Sequence, residues 1–139
     1  VADRVVLPVW PEGTVCVLAT AAGGPFAIPV STAVRAGDAR VAFALAAGRG
    51  SLARLRAEPR VALAVLAGGD VAFTAHGTAV VVADPLPGVE GVCGVVLEVD
   101  ELREHRRPTF RVRGGVDWEW TDPGARERDA VVRAALRGL

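Results

Sequence analysis

The 139-residue sequence contains no lysine, asparagine, glutamine, tyrosine or methionine, and its sixteen basic residues are all arginine. Without lysine no Schiff base can form, and without tyrosine no phenolic acid is available, so whole classes of covalent and acid–base mechanism are closed. The arginine-only usage reflects a GC-rich coding sequence more than a chemical demand. There are two cysteines, Cys16 and Cys93, far apart in apolar runs with no CxxC motif and no Cys/His cluster. That pattern gives no support to a zinc site and predicts reduced core thiols. No run of eighteen apolar residues and no basic stretch leading into an apolar one occurs, which argues against a membrane span and a signal peptide. The expected location is cytoplasmic. The chain begins at Val1 and not at Met, so trimming of the first residues is expected.

Sixteen acidic residues balance the sixteen arginines. No global field is therefore present to hold nucleic acid or an anionic membrane, and neither is expected as a partner. Half of the residues are hydrophobic, 51%, against 23% charged. At this length such a chain can bury the core of one soluble domain, and residues 1–139 are expected to form a single domain.

Short apolar runs separated by glycine and proline predict a mainly β chain. Residues 14–21 are β-branched and apolar, Ala22-Gly23-Gly24-Pro25 supplies a turn, and residues 26–34 return as the second strand of a hairpin. Ala36-Gly37-Asp38 turns into a third strand, residues 41–46. A short helix near residues 51–57 stops at Glu58, because Pro59 disfavours helical geometry in the residue before it. Strands follow over residues 60–66, 71–82 and about 92–105, and residues 108–113 are expected to return beside the last of these. Asp122-Pro123 opens a closing helix with Val131, Val132, Ala135, Leu136 and Leu139 as its apolar stripe. The resulting expectation is a six- to seven-stranded antiparallel barrel or sandwich with a short helix after the third strand and a C-terminal helix.

The densest basic stretch is residues 49–60, where Arg49, Arg54, Arg56 and Arg60 face one acid, Glu58. Ser51 is placed to cap the helix, Gly48 and Gly50 to let the backbone turn tightly, and the amides of Leu52, Ala53 and Arg54 to point outward. Such a helix start attracts a phosphate. The alternative is a solvated helix with Leu52 and Leu55 packed inward and its arginines in water.

The ordered set of segments resembles the flavin-binding split β-barrel family, the pyridoxamine 5′-phosphate oxidase-like proteins and their deazaflavin (F420)-dependent relatives. The resemblance runs over residues 13–120. It rests on Val17-Leu18-Ala19-Thr20 with the Gly-Gly turn, Ile28-Pro29-Val30-Ser31, Glu58-Pro59-Arg60-Val61-Ala62-Leu63 and Gly77-Thr78-Ala79. It implies a homodimer with cofactor sites at the subunit interface, and an FMN or F420 cofactor exchanging hydride with a small-molecule substrate. By position, Pro29, Val30 and Ser31 would line the ring, and Arg49, Gly50, Ser51 and Arg54 would hold the phosphate end. Trp118, Trp120 or both either cover the ring or the dimer seam or anchor the C-terminal segment onto the barrel. Backbone groups at a strand edge can recognise a flavin without special side chains.

Two positions depart from the pattern of relatives that bind FMN tightly. Their second-strand Arg and Lys correspond to Ile28 and Ala33, and the helix start reads Arg49-Gly50-Ser51 where they have Ser-Arg-Lys. Each charge-assisted bond lost is worth roughly 1.5–3 kcal/mol, which lowers affinity for FMN by orders of magnitude. The alternative expectation is therefore a barrel without cofactor that binds another small ligand. His76 shares a strand face with Thr74 and is either a donor toward a ligand or structural. Trp120 faces the same side as Trp118, Trp10 anchors the N-terminal arm, and His105 sits in a charged stretch. Glu98, Asp100, Glu101 and Glu104 with Arg103, Arg106 and Arg107 form a solvated ion-pair face.

Overall fold

A computed structural model describes residues 4–139. Its strands are β1 (Cys16–Thr20), β2 (Phe26–Val30), β3 (Val34–Gly37), β4 (Arg40–Ala46), β5 (Arg60–Ala67), β6 (Val71–Ala83) and β7 (Val92–Glu104), with helices α1 (Gly50–Ala57) and α2 (Pro123–Arg137). All seven strands form one antiparallel sheet in the order β2-β1-β5-β6-β7-β4-β3. The chain has the expected split-barrel fold.

The two edge strands, β2 and β3, are neighbours in sequence, so the sheet must curl until its ends meet. Residues 31–33 make that crossing. Thr32 Oγ1 accepts a hydrogen bond from the Ala44 amide on β4 at 3.0 Å, and the Ala33 carbonyl accepts one from Trp10 Nε1 at 3.1 Å. The strand expected over residues 26–34 is thereby divided, because one straight strand could not serve both edges. As a result the short helix follows the fourth strand and not the third.

Alternation along the strands fills the barrel. Cys16 and Leu18, Val41, Phe43 and Leu45, Val61, Leu63 and Val65, and Cys93, Val95 and Leu97 all point into one apolar cluster. Both cysteines are free and buried, as expected. The intervening Ala42 and Val96 face outward, where α2 covers them with Val132 and Leu136. Asp122 caps α2 by accepting from the Gly124 amide at 3.1 Å, with Pro123 in the first turn. Val131 does not join the stripe; half exposed, it lies on the outer side of α2.

Residues 108–113 do not return as a strand. Asp70, at the turn between β5 and β6, takes Val112 instead: its amide donates to the Val112 carbonyl at 3.0 Å and its carboxylate accepts the Val112 amide at 2.9 Å. Between β6 and β7 the register slips by one residue at His76/Gly77, leaving Asp100 as the extra residue of a bulge. A Cβ on Gly77 would overlap the Glu98 carbonyl oxygen, so this close approach of backbones requires glycine.

Candidate functional site

Helix α1 starts two residues earlier than the hydroxyl-cap expectation requires. Arg49 is its N-cap, in extended geometry and without a side-chain cap, while Ser51 is already helical and buried. The outward amides shift accordingly. Those of Arg49 and Leu52 bond the Ala46 and Arg49 carbonyls, and those of Gly50 and Ser51 have no backbone partner among the described residues. Leu52 therefore offers no open amide, and Arg54 lies far enough into the helix to bond the Gly50 carbonyl. Neither Gly48 nor Gly50 has positive φ, so conformational freedom does not explain them.

Gly50 has a different reason. A Cβ there would come within 2.9 Å of Arg54 Nη1, because the Arg54 side chain folds back over the helix start. Its guanidinium carbon lies 3.7 Å from the centroid of the Phe26 ring, a cation–π contact that joins α1 to the start of β2. The other arginines of the stretch divide. Arg56 pairs with Asp84 at 3.0 Å and Arg60 pairs with Asp100, as the solvated alternative anticipates. Arg49 and Arg54 have no acidic partner among the described residues.

Strand β2 pairs with β1 alone, leaving its other edge unpaired. Pro29 is exposed on it, but Val30 buries its side chain in the barrel and could meet a ligand only through its backbone. The Ser31 carbonyl already accepts from Arg133 Nη2 at 3.2 Å. Ile28 packs against the core and Ala33 is buried in it, so the second of the two departures has no room for a basic side chain.

Trp118 stands apart from α1. Its indole Nε1 donates to the Gly13 carbonyl at 2.8 Å, and its ring meets Trp120 edge to face, with centroids 5.2 Å apart. Both indoles line a cleft of about 650 Å³ between residues 11–14, α2 and residues 115–120. Arg133 connects this cleft to the Ser31 end of β2, whereas Arg54 marks the Phe26 end. The predicted residues thus fall at two ends of one strand, separated by about 13 Å at roughly 3.3 Å per residue.

A smaller groove of about 240 Å³ runs between β1, β5 and β6, lined by Thr20, Arg60 and half-buried His76 among alanines. Arg60 lowers the Asp100 carboxyl from its ordinary range by hydrogen bond and charge, and His76 adds to this. His105 is structural: its Nε2 lies 2.7 Å from Thr74 Oγ1. The expected ion-pair face holds in part: Arg103–Glu101 and Arg106–Glu104 pair at the surface, whereas Glu98 and Asp100 pair with Arg40 and Arg60 from neighbouring strands, and Arg107 has no acidic partner among the described residues. Trp10 is the anticipated anchor, 5.7 Å from Phe73 in the core. No group of three metal-ligating side chains occurs among the described residues.

Sequence reasoning missed Phe26 and Arg133. Phe26 had one available signal, an aromatic side chain at the open end of a hairpin in a chain with few aromatics. Arg133 had none, since its contact with Ser31 spans a hundred residues.

No family model and no curated protein matches the chain. Solved structures do. A candidate pyridoxamine 5′-phosphate oxidase from Lactobacillus delbrueckii is 18% identical, with 66% of this chain and 84% of that one covered at a TM-score of 0.57. An F420 reductase is 17% identical, with coverage of 76% and 100% and a TM-score of 0.57. An FAD-binding protein from Mesorhizobium loti is 17% identical, with coverage of 64% and 83% and a TM-score of 0.53. At these identities the likeness is one of fold, and it is the fold that the sequence resemblance implied.

Proposed function

We propose that this chain binds a flavin-type cofactor, FMN or the deazaflavin F420, along β2 and serves as an oxidoreductase toward a small organic substrate. The observation that carries the reading is Arg54, whose guanidinium spans Gly50 and Phe26 and so ties an anion-attracting helix start to an unpaired strand edge. The residues suit such a group. Arg49 at the N-cap and Arg54 folded over the helix start have no acidic partner among the described residues, and the Gly50 and Ser51 amides have no backbone partner, a combination that suits a phosphate tail.

When bound, the cofactor supplies hydride transfer. The chain's own part is to hold and orient it. Arg54 fixes the tail, the backbone of Pro29 to Ser31 presents an edge to the ring, and buried Val30 keeps that edge rigid. Trp118 belongs to the far end of β2, beside Ser31 and Arg133, where it would border the ring and not the tail. A second copy of the chain is the proposed cover for this edge. Phe26, Val17 and Leu66, each between 43% and 54% exposed, provide apolar surface beside it on β2, β1 and β5.

The second reading, a barrel without cofactor that binds another small ligand, is favoured by Ile28 on β2 and Ala33 in the crossing after it, which leave residues 26–33 with no basic side chain. Absorption spectroscopy of the purified protein followed by titration with FMN and with F420 separates the two. Saturable binding is expected, weakened about tenfold or more in Arg54→Ala, since one charge-assisted contact is worth roughly 1.5–3 kcal/mol. Absence of saturation by either cofactor at high micromolar concentration overturns the proposal.

A further inference from the structure

The cleft beside α2 has a chemistry of its own. Seven and eleven residues on a helix return to nearly the same face, so Arg126, Arg133 and Arg137 form one row along α2 toward the cleft. Glu12, Asp117 and Asp129 face them. Arg137 pairs with Glu12, and Arg133 Nε lies 2.9 Å from Asp129 Oδ2. The angle of that second contact is too poor for a hydrogen bond, which leaves Arg133 Nε buried and unsatisfied. Arg126 has no acidic partner among the described residues.

The opposite wall is aromatic. Trp118 is fixed by its bond to Gly13, and Trp120, 41% exposed, stands at 80° to it. Two indoles at that angle form a corner that takes a flat ring by its face on one side and its edge on the other. A volume of about 650 Å³ lies in the range of small-molecule sites.

The geometry points to a binding site for a planar aromatic monocarboxylate, with the ring in the Trp118–Trp120 corner and the carboxylate on Arg126. The pairing decides against a phosphate. Arg133 and Arg137 already have Asp129 and Glu12, so Arg126 is the one guanidinium of the row without an acidic partner among the described residues, and a dianion there would face Asp117 as well. Guanidinium geometry matches a carboxylate through two parallel bonds. This site borders the proposed ring end of β2 and shares Trp118 with it, but it needs no cofactor.

The test is titration of the cofactor-free full chain with 2-naphthoate, 2-naphthamide and 2-naphthyl phosphate, read by tryptophan fluorescence and checked by calorimetry. Saturable quenching by 2-naphthoate is expected, with the amide and the phosphate each about tenfold weaker or more, the loss for the amide being that of one charge-assisted contact. Arg126→Gln, an exposed change expected to leave the fold unaltered by circular dichroism, should remove the preference for naphthoate over naphthamide. Trp120→Ala should weaken both alike. Absence of saturation by naphthoate overturns the proposal. So does tighter binding of the phosphate or an Arg126→Gln loss equal for all three probes.

Discussion

Strands β5 to β7 and the segment that follows them, residues 105–122, satisfy their backbones in different ways. In the strands, β5–β6 pairs unbroken over eight residues and β7 pairs unbroken with β4 over seven, β6–β7 slips at two places only, and alternate side chains enter one core. The segment has no strand or helix and is pinned at a few points: His105 to Ala72, Val112 to Asp70, and Trp118 to Gly13. Between these points Gly115 passes so near the Leu66 carbonyl that a Cβ would come within 2.6 Å of it. Burial follows the same division, since most of the segment is exposed. The strands therefore resist change through many shared contacts, and the segment through single ones. The cleft beside α2 lies where the two regimes touch, between the end of β5 and residues 115–120.

Breaking the barrel side should have the largest effect. Gly77→Val places a branched side chain into the Glu98 carbonyl, where neither backbone can yield without losing the β6–β7 register. A loss of about 4 kcal/mol or more is expected, measured by urea denaturation. A wild-type midpoint would show that the bulge opens freely and that the strands are no stiffer than the segment.

The next effect is pH-dependent and also belongs to the barrel. Burial pushes the Cys16 thiol from 9.0 up to about 12. Its folded value lies above its unfolded one, so stability is whole below pH 9 and falls as the unfolded chain releases its proton. The expected slope is about 1.4 kcal/mol per pH unit above 9, reaching roughly 4 kcal/mol near pH 12. Cys93 is raised by burial and by Asp84, with the same sign. Denaturation midpoints at pH 8 and above test this, with Cys16→Ala expected to flatten the slope. An unchanged slope in that variant would mean that the barrel interior at β1 admits water.

The same division explains what could be read from residues alone. Strands announced themselves by alternation, as at Val61, Leu63 and Val65, because a two-sided environment leaves a local trace. The helix position and the ion-pair face were legible for similar reasons. The crossing at residues 31–33 was not, since Ser31, Thr32 and Ala33 suit a strand and only closure of the sheet divides them. Residues 108–113 misled because their partner, Asp70, is reached by a side chain and a single amide. At the candidate site the sequence pointed to Arg49 and Arg54 as candidates, but held no sign of what Gly50 makes room for, a side chain folded back from one turn later.

On the segment side, Asp70→Gly isolates one pin. Asp70 has φ of +60°, which glycine adopts freely, so the variant removes the carboxylate without adding backbone strain. A loss of about 1–2 kcal/mol is expected from the Val112 amide left without its acceptor. Faster proteolysis around residue 112 should accompany it while the strands stay protected from hydrogen exchange. If strand protection falls in parallel, the segment is part of the barrel's cooperative unit and the division drawn above is void.

The smallest change sharpens the comparison most. Trp118→Phe keeps an aromatic ring in the cleft but deletes the bond from Nε1 to the Gly13 carbonyl. Gly13 has φ of +81° and its carbonyl is accessible from the cleft, so water can replace the lost donor and the cost should be about 1 kcal/mol or less. Global stability by urea should scarcely move. Trp120 loses the edge of its indole partner, so its fluorescence should shift toward that of a solvated ring. Protein that melts several kcal/mol earlier would assign the Trp118 pin to the core, and with it the cleft would change from an open ligand site to a closed structural joint.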